Sequence, residues 1–139
     1  MLTRTIVTRN WRINKVTTEN GFYHLRKEWN DLLRKSGSDT IFLTWEWIHS
    51  WWQNYKTGGQ ELHILTAYRN GELVGIAPLY SSPVRYLKVL TYRKLAFLGW
   101  GTTDSDYLDF IMKKGCEADV WERFMAYIIK QADKKTFLA

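Results

Sequence analysis

Only one cysteine, Cys116, stands in the 139 residues, so no internal disulfide is available, and with three scattered histidines it makes no zinc spacing. A reducing compartment is the natural setting. Long apolar runs are also lacking. Arg4, Arg9 and Arg12 interrupt the N-terminal stretch and leave no signal-peptide core, while Glu46 and His49 break the tryptophan-rich segment well short of the ~20 apolar residues of a membrane span. A cytoplasmic protein without membrane insertion is expected. Acids are missing before Glu19 and again between Glu72 and Asp104, and the net charge is +6. Arg85, Lys88, Arg93 and Lys94 fill the second gap. They suit an anionic partner, a phosphate or an acidic polysaccharide, or else they solvate one sheet face and protect an edge from aggregation.

Several catalytic signatures are missing too. There is no G-x-S-x-G elbow, no Walker A sequence and no RNP aromatic signature, which speaks against a serine triad, a P-loop and single-strand nucleic-acid recognition by Tyr86 and Tyr92. No nucleic-acid partner is expected. What the chain does have is hydrophobic residues at 45%, aromatics at 16% and eight tryptophans. A chain of this size buries roughly two-thirds of its unfolded surface in one domain.

Four of the tryptophans, Trp45, Trp47, Trp51 and Trp52, fall in FLTWEWIHSWWQNY. At about 100° per residue, the apolar side chains from Trp45 to Tyr55 occupy one arc of roughly 160°, with Trp47 at its edge. Glu46, His49, Ser50, Gln53, Asn54 and Lys56 fill the rest. The spacing therefore predicts a helix that packs inward, capped by Thr44 and ended by Gly58-Gly59, with Trp47 left as a pocket wall. An earlier stripe, Phe22, Leu25, Trp29, Leu32 and Leu33, predicts a helix capped by Thr17 or Thr18 and ending near Gly37. Before it, residues 4–16 read as a strand.

ELHILTAYR and ELVGIAPLYSS flank Asn70-Gly71, the strongest short hairpin signal, and predict two antiparallel strands covered on both faces. Pro78 cannot donate a ladder hydrogen bond and marks a bulge or a place where pairing is interrupted. Residues 85–90 and 94–98 read as strand pieces around a turn at 91–93. Residues 107–112 alternate as another strand, and 117–134 read as a helix burying Val120, Trp121, Phe124, Tyr127 and Ile128. Residues 136–139 resemble the start of a further strand, so the sequence reads as the N-terminal part of a longer protein.

This order of elements resembles the GNAT acyltransferase fold, an α+β architecture with a mainly antiparallel central sheet and helices on both faces. FLTWEWIHSWW, ELVGIAPLY, KLAFLGWG and DSDYLDF, in that order, are similar to the N-terminal half of the cellulose-biosynthesis CelD-like branch, akin to the Fem-type aminoacyltransferases. The resemblance covers most of the chain, from about Trp29 to Tyr127, and places 1–139 as one GNAT-like domain of a two-half enzyme of polysaccharide biosynthesis. It implies acyl transfer from acyl-CoA, such as acetyl-CoA, to an amine or hydroxyl of a small-molecule or saccharide acceptor. The family's pyrophosphate loop, Arg or Gln, two residues, Gly, one residue, then Gly or Ala, opens a helix. Gly99-Trp100-Gly101 departs from it, because Ala96 stands at the Arg/Gln position and a polar loop and strand follow. The coenzyme site is therefore expected in the other half, and this chain alone is expected to be inactive.

Within GWGTTDSDYLD, residues 99–109, two glycines allow close approach of a ligand, and three carboxylates follow within six residues. Asp106 and Asp109 are the candidate catalytic acids, positioned to orient or deprotonate an acceptor. Trp47, Gly99, Trp100, Gly101, Asp104 and Tyr107 are candidate substrate contacts. Ordinary turn chemistry, with aspartates bonding to their own backbone, also fits the acids. A different class of function is a non-catalytic carbohydrate-binding module, which requires exposed tryptophans.

Overall fold

The computed structural model describes residues 10–88, 90–99, 109–132 and 136–138, the last three by their backbone alone. β1 (Trp11–Val16) leads to α1 (Glu19–His24) and α2 (Arg26–Arg34), and a 3-10 turn (Ile41–Leu43) precedes α3 (Trp45–Tyr55). Five strands follow: β2 (Glu61–Leu62), β3 (Ile64–Arg69), β4 (Glu72–Ala77), β5 (Leu79–Tyr86) and β6 (Leu90–Phe97). β7 (Ile111–Met112), α4 (Glu117–Ala132) and β8 (Thr136–Leu138) complete the order. The expected α+β class with antiparallel pairing holds. The strands form two four-stranded sheets, β1-β3-β4-β7 and β2-β5-β6-β8, in which only β6 and β8 run parallel.

Asn70 and Gly71 both take positive φ, 53° and 80°, as the tight hairpin turn requires, and β3 pairs with β4 from Arg69↔Glu72 to Leu65↔Ala77. The pairing continues past the break. Leu62 faces Tyr80, and the His63 N–H donates to the Leu79 carbonyl at 2.9 Å. Thus 61–69 and 72–86 form one long hairpin that bends at His63 and Pro78 and serves both sheets.

Side chains alternate across it. Ile64, Leu73, Ile76, Tyr80 and Ala96 join α1, α2 and α3 in one core, whereas Leu65, Ala67, Val74, Leu79 and Leu95 join α4 in the other. Helices therefore cover both faces, as the two-sided apolar strands predicted.

The tryptophan helix behaves as its arc requires. The Thr44 hydroxyl accepts from the Trp47 N–H, Trp45 and Trp52 are buried, and Trp51 is only 8% exposed. The helix ends at Tyr55, before Gly58, because Lys56 is already extended. Elsewhere the periodicity misled. The stripe from Phe22 to Leu33 is two helices, not one: the Leu25 N–H bonds back three residues to Phe22, tightening the chain between them while every apolar residue of the stripe stays buried. Trp121 is half exposed rather than buried, since Val120, Phe124 and Ile128 define the inward line and Trp121 lies one position to its side, against Phe110.

Two strand readings also change. The turn in 85–98 falls at Leu87 and Lys88 instead of 91–93, with Tyr86↔Leu90 as the last pair. Asp109 lies before β7 rather than within a strand, because β7 begins at Ile111, and residues 107–108 are outside the described ones.

At Gly75 the sheet lies close against α4. A Cβ there would run into Val120 Cγ1 and lie 3.2 Å from Phe124. Gly75→Ala is expected to destabilise the fold by about 1–3 kcal/mol through overpacking. Gly58→Ala, with nothing within 4 Å of its added carbon, should change stability by less than about 0.5 kcal/mol. Urea unfolding of the two variants checks the contrast.

Candidate functional site

The bend in the long hairpin is where the structure departs from a plain sheet. Pro78 has no N–H, so the strand through 72–86 cannot keep an unbroken ladder. β7 flanks it on one side of Pro78, at Gly75↔Met112 and Ile76↔Ile111. β6 flanks the same edge on the other side, up to Leu79↔Phe97, with the Leu98 N–H donating to the Pro78 carbonyl at 2.8 Å. β6 and β7 thus run in one direction along one edge, as a single strand interrupted at Pro78. The interruption is the segment 99–109 that carries the candidate acids.

The ends of that segment are firmly held. Leu98 belongs to the core under α1–α3, and Phe110 to the core under α4, where its ring meets Phe97 at 5.6 Å and Phe124 at 5.4 Å. Gly99 is buried with φ 100°, a conformation that a side chain would strain. Asp109 is exposed, and its carboxylate accepts from the N–H of the next residue, Phe110, at 2.7 Å. Trp100, Gly101, Asp104, Asp106 and Tyr107 lie outside the described residues. Trp47 is half buried, packs edge-on to Phe42 at 5.1 Å, and edges the same core as Leu98. Among the described candidates, Gly99 and Asp109 are therefore brought to the two ends of one insertion. Trp47 shares a core with the first end only.

Across the bent strand from this insertion lies a group that sequence reasoning passed over, His63. Two strand spacings, about 10 Å, separate its strand from the β6/β7 edge. Its side chain shares a face with Leu65, Leu79 and Leu95, and its Nε2 is buried with no hydrogen-bond partner among the described groups. Burial, and then the cations of Lys15 and Arg93, push its pKa down to about 4, so the ring is neutral at physiological pH.

Arg93 is itself clamped. Its guanidinium donates to Ser81 Oγ at 2.9 and 3.0 Å and to the Gly59 carbonyl at 2.9 Å, with Glu61 at 4.0 Å. The signal was present in the spacing: counting outward from Asn70-Gly71 sets His63 opposite Pro78, and the irregularity between Ala67 and Tyr68 shifts it to Leu79. In a neutral imidazole the unpartnered Nε2 accepts or donates a hydrogen bond according to the tautomer. With its basicity so reduced, it is a poor proton acceptor at neutral pH.

Beside the open edge of β2 is a cleft of 370 Å³ that includes Glu19, Trp52, Lys56 and Gln60. Burial raises the Glu19 pKa, but the Lys56 ammonium at 2.7 Å and the Gln53 and Trp52 donors outweigh it and hold the carboxyl below its ordinary value.

The starts of α1, α3 and α4 do not suit a coenzyme pyrophosphate. At α3 the Trp45 N–H donates to Asn30 Oδ1 and the Trp47 N–H to Thr44 Oγ1, while Glu46, Glu19 and Glu117 put carboxylates in first turns. Such ends repel phosphate. Among the described residues, no cluster of His, Cys, Asp and Glu is arranged to hold a metal ion.

No family model matches the sequence, and no curated protein matches it. Among solved structures, a transcriptional regulator from Bacillus halodurans C-125 superposes with a TM-score of 0.47 at 10% identity, over 93% of this chain and 81% of that one. A likeness of that degree carries no functional argument.

The His63 geometry has a consequence for stability. Its folded pKa lies below the ordinary 6.5, so the unfolded chain binds the extra proton. The contribution is complete above about pH 6.5 and is lost as the pH falls toward 4. His63→Phe is expected to flatten stability between those limits, whereas loss below about 4.5, where carboxylates titrate, persists. Urea midpoints measured across pH, with NMR titration of the imidazole, check both parts.

Proposed function

We propose that this chain forms the acceptor side of an acyl-CoA-dependent N- or O-acyltransferase of GNAT type, acting in the cytoplasm on a small-molecule or saccharide acceptor. One observation carries the reading: the segment bearing Asp104, Asp106 and Asp109 interrupts β6/β7 at Pro78, where the central hairpin bends between its two sheets. A break in a sheet, bounded by residues locked in two different cores, gives an insertion two fixed ends, as a ligand site requires.

In this reading Asp106 is the preferred proton acceptor. Asp109 orients the acceptor, since one of its oxygens already receives the Phe110 N–H and the other remains for a ligand. Trp47, Gly99, Trp100, Gly101, Asp104 and Tyr107 form the surrounding contacts. His63, neutral and lacking a described partner at Nε2, offers a hydrogen-bond partner to a hydroxyl or amine that reaches the second face. The acyl-CoA belongs to the other half of a two-half enzyme. Supporting that division, the described helix starts are already capped or acidic. The carbohydrate-module reading has less behind it, because Trp45, Trp51 and Trp52 turn inward and Trp47 is half buried.

Asp106→Asn in a protein carrying both halves is expected to lower acyl transfer by roughly 10²–10⁴-fold, as removal of a general base does, with unchanged urea stability. Asp109→Asn should raise the acceptor KM more than it lowers kcat. Unchanged turnover for both would leave these acids as turn residues. Isothermal calorimetry of the 139-residue chain with acetyl-CoA should show no micromolar binding. Micromolar binding would place the donor site within this chain.

A further inference from the structure

The β5-β6 hairpin ends in a turn that its own sequence opposes. Leu87 and Lys88 both lie in the left-handed region, at φ 55° and 60°. Leucine and lysine are strained in that region, which asparagine and glycine occupy more readily, as Asn70 and Gly71 do in the neighbouring hairpin. The strained residues are not buried in return. Leu87 is 74% exposed, and the last cross-strand pair, Tyr86 and Leu90, is 59% and 44% exposed. Arg85 and Lys88 flank these apolar groups, and no acid occurs anywhere between Glu72 and Asp104.

We propose that this hairpin tip docks the protein on an anionic lipid surface, with Leu87, Tyr86 and Leu90 entering the headgroup boundary and Arg85 and Lys88 meeting lipid phosphates. The order of side chains along the arm favours lipid. At the tip Leu87 is aliphatic and has no ring on which a base stacks, the tyrosine stands one residue behind it, and Lys88 and Arg85 are adjacent in the chain to these two, as in interfacial anchors. The apolar surface is also small. Three side chains fall far below the ~800 Å² per partner of a specific protein interface, whereas interfacial binding has no such minimum and grows with each apolar group and each cation. Docking is peripheral: among the described residues, no helix is long and apolar enough to cross a membrane. The inference stands apart from the acyltransferase reading, since it uses none of the residues at the Pro78 break.

The test is co-sedimentation of the chain with phosphatidylcholine vesicles, with and without phosphatidylglycerol, at low and high salt. Binding to the anionic vesicles that weakens with salt is expected. The double substitution Leu87→Asn/Lys88→Gly installs the relaxed turn, so it should keep or raise the urea midpoint while lowering vesicle affinity roughly tenfold or more. Lys88→Gln, which leaves Leu87 in place, should lower affinity about fivefold with the fold intact. Equal binding to neutral vesicles, no vesicle binding, or undiminished binding by the double variant would overturn the proposal. So would binding to a single-stranded oligonucleotide or an acidic peptide in place of the vesicles.

Discussion

The absent N–H of Pro78 is the constraint around which the rest is arranged. A proline in the central strand of a sheet leaves one ladder position empty, and here the chain responds by bending the whole hairpin rather than ending it. The His63 N–H bonds to Leu79 and the Leu98 N–H to the Pro78 carbonyl, so backbone pairing resumes at once on the far side. One strand pair thereby becomes the spine of two sheets. β6 and β7 therefore stay two separate strands along that edge.

Packing fixes the bend from both sides. Under one face, Phe22, Trp29 and Trp45 form a tilted aromatic cluster with ring centroids 5.4–5.6 Å apart from Phe22, and the buried indole N–H groups of Trp29 and Trp45 donate to the carbonyls of Leu43 and Phe22. These bonds tie the helical segments to one another and satisfy both indoles. Under the other face, Gly75 lets α4 settle directly on β4. Trp11, on the edge strand β1, carries the guanidinium of Arg123 at 4.5 Å and that of Arg69 at 5.9 Å, which links α4 and β3 to the sheet margin. A hairpin held between two such layers presents its break in a defined position, which is what a site requires.

The chemistry at the break comes from both neighbours of the bent strand. On one side is a loop rich in carboxylates, and on the other a neutral imidazole kept so by burial and two cations. The loop's function as an acceptor site is the proposal. The fixed ends of the loop are features of the fold.

Local patterns were read correctly where one physical requirement dominated. Asn70-Gly71 supplied the two positive φ values its turn demands, the arc of Trp45, Trp51 and Trp52 decided which side of α3 is buried, and Pro78 announced a break in pairing. Readings failed where a neighbour's packing overrode the local signal. The split at Leu25 keeps a five-residue apolar stripe buried, the displaced turn at Leu87-Lys88 uses residues with no turn propensity, and Trp121 yields the inward line to Val120 and Phe124. His63 illustrates the limit best. Its identity and its place near Pro78 are in the sequence, but its neutrality depends on Lys15 from β1 and Arg93 from β6, residues distant in the chain. By itself, the sequence determined the Asn70-Gly71 turn, the buried side of α3 and the place of the break, because each follows from a single residue's backbone chemistry or from periodicity. Only the tertiary structure decided which groups meet at that break, since their charges and burial are set by strands that pairing alone brings together.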